Sequence, residues 1–283
     1  MIRSDTAPES PRPAEDSLGA NGVERLSVRD YPSPRSDAPT LVYLPGIHGD
    51  WTLIGACREI LRSRVRVVEM TYPRNVDWKL ADYAAAIEEA LQTRGIDHAW
   101  LLGESFGSQV LWELAARRRL RIDGLILAGG FVAYPCPALL KAAQWLFPRI
   151  PYSLLRSILP VYVLYARLRY RGNPAMIQGA REFVARRTPE DLRAMERRLQ
   201  LIAENDPRPV ASENRAPLHH LYGFFDPIVP WKPVARWLRL HSPALQGSRR
   251  VLLSDHTILA TAARASAEQI CEWIALQPVK TGC

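Results

Sequence analysis

One serine of this 283-residue chain lies in a pattern that could make it a nucleophile. Ser105 is the centre of the pentapeptide GESFG at residues 103–107, which follows a short apolar run at 99–102 and precedes a helical pattern at 108–119. A sharp turn from a strand into a helix holds a serine hydroxyl at the sheet edge and at a helix N-terminus, where developing negative charge is stabilised. The pattern therefore predicts a strand, a nucleophile elbow and a helix in this order.

A serine also needs a base to accept its proton, and two later residues can complete that arrangement. Asp226 follows a predicted strand at 217–223 and lies 121 residues after Ser105. His256 follows a second predicted strand at 250–253 and lies 30 residues after Asp226. Because side chains just beyond the C-terminal ends of parallel strands meet at one sheet edge, we predict a Ser105, His256 and Asp226 triad.

Other acids and histidines fit structural roles better. Asp206 lies in a connector with no strand before it, and Asp255 is placed to cap the helix that follows it. His219 and His220 lie within the predicted strand at 217–223, where we expect core histidines with satisfied hydrogen bonds.

Together these features resemble the serine α/β-hydrolase superfamily, over about residues 41–276. The segments that carry the resemblance are LVYLPGIHG at 41–49, GESFG at 103–107, GFFDPIV at 223–229 and DH at 255–256. The resemblance implies an α/β-hydrolase fold, in which a mostly parallel central sheet is flanked by helices and carries a helical cap insertion. It also implies that Ser105 is the nucleophile, that His256 is the general base and then the general acid, and that Asp226 orients the imidazole.

The resemblance further implies an oxyanion hole made of two main-chain N–H groups. One follows the nucleophile, at Phe106, and the other lies in the loop after an earlier strand, at Ile47. Many members have His-Gly where this chain has Pro-Gly at 45–46, which leaves open whether Ile47 or His48 is the second donor. His48 is also a candidate for contact with substrate, because its loop lies beside Ser105.

Composition and element spacing divide the chain into four parts. Residues 1–22 are rich in proline without an apolar period and predict a mobile tail, whereas 23–132 and 215–283 predict the two parts of the core. Residues 133–214 predict a helical cap that its prolines cut into short helices. Within the core the patterns predict strands at 23–29, 40–44 and 65–70, a helix at 51–62 with Asp50 as its N-cap, and a helix at 80–94.

The first half of the predicted cap alternates apolar and aromatic residues with arginines. One interpretation is that its apolar stripe packs on the core while the arginines lie in water. The other is an apolar pocket for an acyl chain, with an arginine rim that meets an anionic head group or a membrane surface. The second half, 186–204, has a regular charged helical pattern and is predicted to be structural. The candidate substrate-binding residues are His48, Glu104, Trp145 and Tyr162.

The composition limits which binding partners and which cellular compartment we expect for this protein. The net charge is +8, but its densest run, at 117–121, fits a solvated helix end, so we predict no nucleic-acid partner. The four cysteines and six histidines show no metal-ligand spacing, and we expect neither a metal nor a cofactor. No signal peptide is recognisable and no apolar run approaches the ~20 residues of a spanning helix. We expect a cytoplasmic protein without stable membrane insertion, for which peripheral contact with a membrane stays open; the sequence predicts no oligomeric state.

The sequence thus predicts a serine hydrolase that cleaves a carboxylic ester, or a thioester, of an apolar acyl substrate. An acyltransferase would use the same triad, and a ligand receptor could use the same fold without turnover. An aminopeptidase is disfavoured, because the basic cap offers no grip for a substrate amine.

Overall fold

A seven-stranded sheet forms the centre of the molecule. The computed structural model describes residues 25–74, 77–169, 171, 174–252 and 254–276. The strands are β1 Ser27–Tyr31, β2 Thr40–Leu44, β3 Arg66–Thr71, β4 His98–Glu104, β5 Arg121–Ala128, β6 Leu218–Gly223 and β7 Leu245–Val251. Their order across the sheet is β1-β3-β2-β4-β5-β6-β7, with β1 antiparallel to β3 and every other neighbouring pair parallel. The predicted α/β class with a mostly parallel sheet is confirmed.

Helices cover both faces of this sheet, because alternate residues of its strands are apolar on opposite sides. The helices are α1 Gly55–Leu61, α2 Leu80–Gln92, α3 Gly107–Arg117, α4 Pro137–Leu146, α5 Tyr152–Arg169, α6 Pro174–Ala185, α7 Pro189–Glu204, α8 Arg208–Glu213, α9 Trp231–His241, α10 Ile258–Thr261 and α11 Ala263–Ala275. In β2, Val42 and Leu44 pack in one core with residues of α2 and α3. Leu41 and Tyr43 pack in the other core with residues of α1 and α11.

Three predictions of element starts were wrong. The strand predicted at 250–253 begins five residues earlier, at Leu245, and ends at Val251. The helix predicted at 51–62 begins only at Gly55, because Asp50 does not cap it. The Asp50 carboxylate instead accepts the backbone N–H of Thr52 at 3.0 Å and holds a tight turn before the helix. The early strand predicted at 23–29 begins at Ser27, while residues 1–24, with the predicted tail, lie outside the described part of the chain.

Between β5 and β6 the described chain is helical, as expected, although one predicted break is absent. Helix α5 runs for 18 residues with Pro160 inside it, so this proline does not divide the segment. No strand lies among the described residues from 129 to 217, and the cap boundaries at 133–214 stay a prediction. Of the helices described, none combines the length and the apolar character needed to cross a bilayer.

Two adjacent histidines are buried in β6 without full hydrogen bonding. The His219 ring is stacked against Trp273 at 4.6 Å and against Trp100 at 5.9 Å, and both of its ring nitrogens lack a partner among the described residues. His220 is 1% exposed, and its Nδ1 likewise has no described partner. They are core residues as predicted, but their hydrogen bonding is not satisfied. Burial lowers the pKa of His219 to about 4 and that of His220 to about 3.

These lowered pKa values predict acid lability. An unfolded histidine has a pKa near ~6.5, so between that pH and about 3 the unfolded chain binds protons that the folded protein does not. Stability from the neutral rings is complete above the unfolded pKa and is lost as the pH falls through this window. We expect His220→Phe, which can stack on Tyr222 as the histidine does, to flatten the pH dependence of the unfolding free energy by up to ~1.4 kcal/mol per pH unit. Urea unfolding at several pH values measures this slope, and parallel curves for variant and wild type would contradict it.

Candidate active site

The three side chains of the predicted triad form one hydrogen-bonded chain. His256 Nε2 lies 2.9 Å from the Ser105 hydroxyl oxygen, and His256 Nδ1 lies 2.8 Å from Asp226 Oδ2. Because a carboxylate can only accept, Nδ1 carries the proton and Nε2 is left to accept the serine proton. The other Asp226 oxygen accepts the N–H groups of Ile228 at 2.8 Å and Val229 at 2.9 Å, which fixes the carboxylate. This arrangement can withdraw a proton from Ser105.

The sheet brings these residues together because each follows the C-terminal end of a strand. Ser105 follows β4, Asp226 follows β6 and His256 lies beyond β7. The Asp226 side chain is 1% exposed and that of His256 is 16% exposed. The charge that would form on the imidazole therefore faces a carboxylate shielded from water.

The turn at Ser105 is strained in the way that the sequence predicts. Ser105 has a φ of +50°, a left-handed conformation that costs a non-glycine residue ~1–2 kcal/mol. A Cβ atom at Gly103 would lie 2.9 Å from the carbonyl oxygen of Gly107, and one at Gly107 would overlap the carbonyl oxygen of Leu44. Glycine at both positions lets β2, β4 and α3 approach closely, and Ser105 lies at the N-terminus of α3.

The predicted oxyanion-hole donors have no protein acceptor. Among the described residues, neither the Phe106 N–H nor the Ile47 N–H donates a hydrogen bond to the protein. The alternative donor, the N–H of His48, is likewise unpaired there. These N–H groups are therefore free to donate a hydrogen bond to another molecule.

Comparisons with known proteins agree with this architecture. A family model described as the α/β-hydrolase fold matches residues 62–161. Among solved structures, a hydrolase from Pseudomonas aeruginosa PA01 superposes with a TM-score of 0.73 at 16% identity, over 92% of this chain and 98% of that one. The chain has the α/β-hydrolase fold.

Two further structures resemble this chain over nearly its whole length. A thermophilic esterase from Thermogutta terrifontis has a TM-score of 0.70 at 20% identity, covering 94% of this chain and 98% of that one. An enol-lactonase from Burkholderia xenovorans LB400 has a TM-score of 0.70 at 20% identity, covering 93% of this chain and 100% of that one. No curated protein matches the sequence.

A buried arginine of α7 holds the loop that carries the second candidate donor. Arg198 is 1% exposed and donates to the carbonyl oxygens of Ile47 at 2.8 Å and Pro73 at 3.1 Å. Because the C=O and N–H of a trans peptide point in opposite directions, this bond fixes the His48 N–H as well. The preceding peptide is fixed in turn, since the Gly46 carbonyl accepts the Gly49 N–H at 2.9 Å. Both candidate donors therefore lie on peptide planes whose carbonyls are held by hydrogen bonds.

A second buried arginine, Arg187, also binds this loop. It donates to the carbonyl oxygen of His48 at 3.2 Å and to the carboxylate of Asp50. Burial alone would raise the pKa of Asp50, but the neighbouring His48 ring, the Arg187 guanidinium and the hydrogen bonds from Thr52 lower it to about 2. Asp50 therefore stays ionised opposite Arg187 at neutral pH.

Sequence reasoning missed the roles of Arg187 and Arg198, which fall in the half of the cap predicted to be structural. One signal was available, because Arg198 shares the apolar stripe of α7 with Ala194 and Leu201. An arginine on the buried face of an amphipathic helix needs acceptors, and here the acceptors are the carbonyls of the loop.

The four predicted substrate-binding residues lie in different surroundings. His48 Nε2 donates to the carbonyl oxygen of Asp50 at 2.9 Å, and burial lowers the pKa of this ring, which favours its neutral form. Phe183 joins His48 to Tyr162, since its ring centroid lies 5.8 Å from that of each. Burial, with the nearby carboxylates of Asp255 and Glu104, raises the pKa of Tyr162 to about 12.

The other two of these residues differ in exposure. Glu104 is 2% exposed and accepts the hydroxyl of Tyr43 in the core beneath the elbow. Trp145 is 62% exposed, and its ring lies 4.3 Å from the Arg149 guanidinium carbon. Substrate contact by Glu104 and Trp145 stays a prediction.

Two large clefts, of 670 and 770 Å³, open beside residues 95–97 and 118–122, near the N-terminal ends of β4 and β5 and therefore at the sheet edge opposite Ser105. In the described part of the chain, no group of three or more His, Cys, Asp and Glu side chains is arranged to hold a metal ion.

Proposed function

We propose that this α/β hydrolase is a serine esterase that cleaves a carboxylic ester with an apolar acyl group. The observation that carries the proposal is the continuous hydrogen-bonded chain from Ser105 through His256 to Asp226, at 2.9 and 2.8 Å. The unpaired N–H groups beside Ser105 and its position at a helix N-terminus add support. The esterase and the enol-lactonase among the similar structures are consistent with an ester bond as the target.

In the first half-reaction Ser105 Oγ adds to the carbonyl carbon of the ester while His256 Nε2 takes its proton. The carbonyl oxygen becomes an oxyanion that accepts hydrogen bonds from the N–H groups of Phe106 and Ile47, with His48 as the alternative second donor. Removal of one such donor typically slows a reaction ~10²–10³-fold. Collapse of the tetrahedral intermediate breaks the bond to the alcohol oxygen, and His256 protonates the departing alcohol.

The second half-reaction releases the acid. Water replaces the alcohol, gives a proton to His256 Nε2 and adds to the acyl carbon. Collapse of this second tetrahedral intermediate breaks the bond to Ser105 Oγ, and His256 returns the proton to that oxygen, which regenerates the free serine. Asp226 keeps the imidazole oriented, since its two oxygens bind Nδ1 and the main-chain N–H groups of Ile228 and Val229. All of these steps use side chains and main-chain groups of the protein.

Initial rates on p-nitrophenyl esters from acetyl to palmitoyl test the proposal. We expect saturable hydrolysis, with kcat within the ~1–10³ s⁻¹ range common to enzymes, and a chain-length optimum that measures the acyl site. Protein inactivated with a fluorophosphonate supplies the blank for spontaneous hydrolysis.

Product analysis with an added alcohol separates the alternatives. Free acid as the main product supports the esterase, whereas a new ester formed with the added alcohol would instead identify an acyltransferase. A folded protein without turnover of any ester would contradict the proposal and favour a ligand receptor.

A further inference from the structure

Helix α5 exposes an unusually large apolar stripe. Its positions follow the i, i+4, i+7 spacing of one helix face, and each side chain is 49–61% exposed. The residues of this outer stripe are Leu154, Ile158, Val161, Leu164, Tyr165 and Leu168. The opposite face of the helix, with Leu159 and Ala166, is buried. The interpretation that the cap packs its apolar stripe on the core therefore fails for this face, and so many adjacent apolar side chains in water indicate a binding surface.

The same part of the chain carries almost the whole net charge. Residues 124–181 contain seven basic residues and no acidic one, which leaves 30 basic and 29 acidic residues in the rest of the sequence. The basic residues are Lys141, Arg149, Arg156, Arg167, Arg169, Arg171 and Arg181. Six of these side chains are described, and all six are exposed. Within the described residues none of the six forms an ion pair.

We propose that the outer stripe of α5 docks this protein on the surface of an anionic lipid bilayer. An amphipathic helix with arginines beside an apolar stripe lies in the plane of the interface, with the stripe among the acyl chains and the arginines among anionic head groups. Exposed Trp145, with Arg149 over its ring, has the amphipathic character of residues found at that depth. A bilayer holds apolar esters, so the link between docking and substrate rests on the proposed function. The docking itself is argued from the apolar stripe and the basic residues around it.

Other possible binding partners account for less of this surface than an anionic bilayer does. A nucleic acid would neutralise the arginines and leave six large apolar side chains in water. A second copy would place two all-basic segments against each other without a carboxylate between them. The terminal segments outside the described residues, 1–24 and 277–283, supply only Met1, Ile2, Leu18, Val23 and Val279 as large apolar residues, too few to cover the stripe.

Vesicle flotation tests the proposal with the full chain. Wild type is mixed with vesicles of phosphatidylcholine alone or with a third phosphatidylglycerol, and we expect it to float with the anionic vesicles and lose that binding as salt rises. Two double variants separate the apolar and the electrostatic contributions to vesicle binding. The variant with Ile158→Gln and Val161→Gln removes apolar contact, and the variant with Arg156→Gln and Arg167→Gln removes positive charge. Each should lower vesicle partitioning at least about tenfold while turnover of a short soluble ester stays unchanged.

A matched control and two outcomes complete the test. Leu240→Gln on α9 changes an equally exposed leucine outside the cap and should bind vesicles as the wild type does. Equal flotation of all variants, or no flotation of wild type, would overturn the inference. So would a dimer in vesicle-free solution that the α5 substitutions dissociate, because it would assign the stripe to a second copy. Vesicle binding is measured without turnover, so failure of the esterase proposal would show separately in the ester assay.

Discussion

Replacing Ser105 by alanine should lower kcat for ester hydrolysis by about 10⁴- to 10⁶-fold and leave the fold intact. The expected loss is large because the serine oxygen would form the covalent bond to substrate, and no other hydroxyl is described within hydrogen-bond reach of His256 Nε2. The fold should survive because the serine side chain has only this one described hydrogen bond and alanine has the same backbone preferences at a φ of +50°.

The measurement is the initial rate on the best ester of the series, at protein concentrations high enough to detect residual turnover. Circular dichroism and the unfolding midpoint establish that the variant is folded. Ser63→Ala is the matched control, because this exposed hydroxyl donates only to the carbonyl of Ile60 and should leave turnover at the wild-type level. Comparable rates for Ser105→Ala and wild type would contradict the proposed nucleophile.

The second large effect is expected at Arg198, which contacts the loop that carries the candidate oxyanion donors Ile47 and His48 but not the triad. Arg198→Ala removes the donor to the Ile47 carbonyl, so the peptide planes that carry the candidate donors can shift. A displacement of about 1 Å can cost ~10²-fold, and we expect kcat to fall about 10- to 100-fold with little change in KM. Arg198→Lys should recover part of this loss, because an ammonium group can still donate to that carbonyl.

The readout that separates positioning from stability is the affinity of a trifluoromethyl ketone, which forms an oxyanion at the serine. Its Kd should rise in proportion to the loss in kcat/KM, because both depend on the same N–H groups. Arg193→Ala, on the exposed side of α7, is the control and should change neither value. A lower unfolding midpoint with an unchanged ratio of inhibitor Kd to KM would show that Arg198 has only a structural role.

The sequence could predict the elbow and the triad partners because their signals are local. GESFG lies between an apolar run and a helical pattern, and Asp226 and His256 each follow a strand, so parallel pairing alone brings them to one edge. The arginine contacts to the loop could not be predicted in this way. Arg198 and Ile47 are separated by 151 residues, and which carbonyl a buried arginine reaches depends on how α7 packs over the sheet.

The spacing of apolar residues could predict helix α5 but not which of its faces is buried. It indicates an apolar helix, but α5 has apolar residues on both sides, and only the structure shows that Leu159 faces inward while Val161 faces water. At Asp50, too, the local sequence pattern does not show which groups the side chain binds. An aspartate before an apolar run predicts a helix cap, yet its carboxylate serves a turn at Thr52 and an ion pair with Arg187 instead.

The central claim, that Ser105 is the catalytic nucleophile of this protein, is tested most directly by locating a covalent adduct. The folded protein is treated with a fluorophosphonate, digested with trypsin and analysed by tandem mass spectrometry. The proposed mechanism predicts one adduct per chain, on Ser105 in the tryptic peptide of residues 95–117, and far slower labelling in His256→Ala. An adduct on any other residue, or no adduct on folded protein that hydrolyses esters, would contradict it.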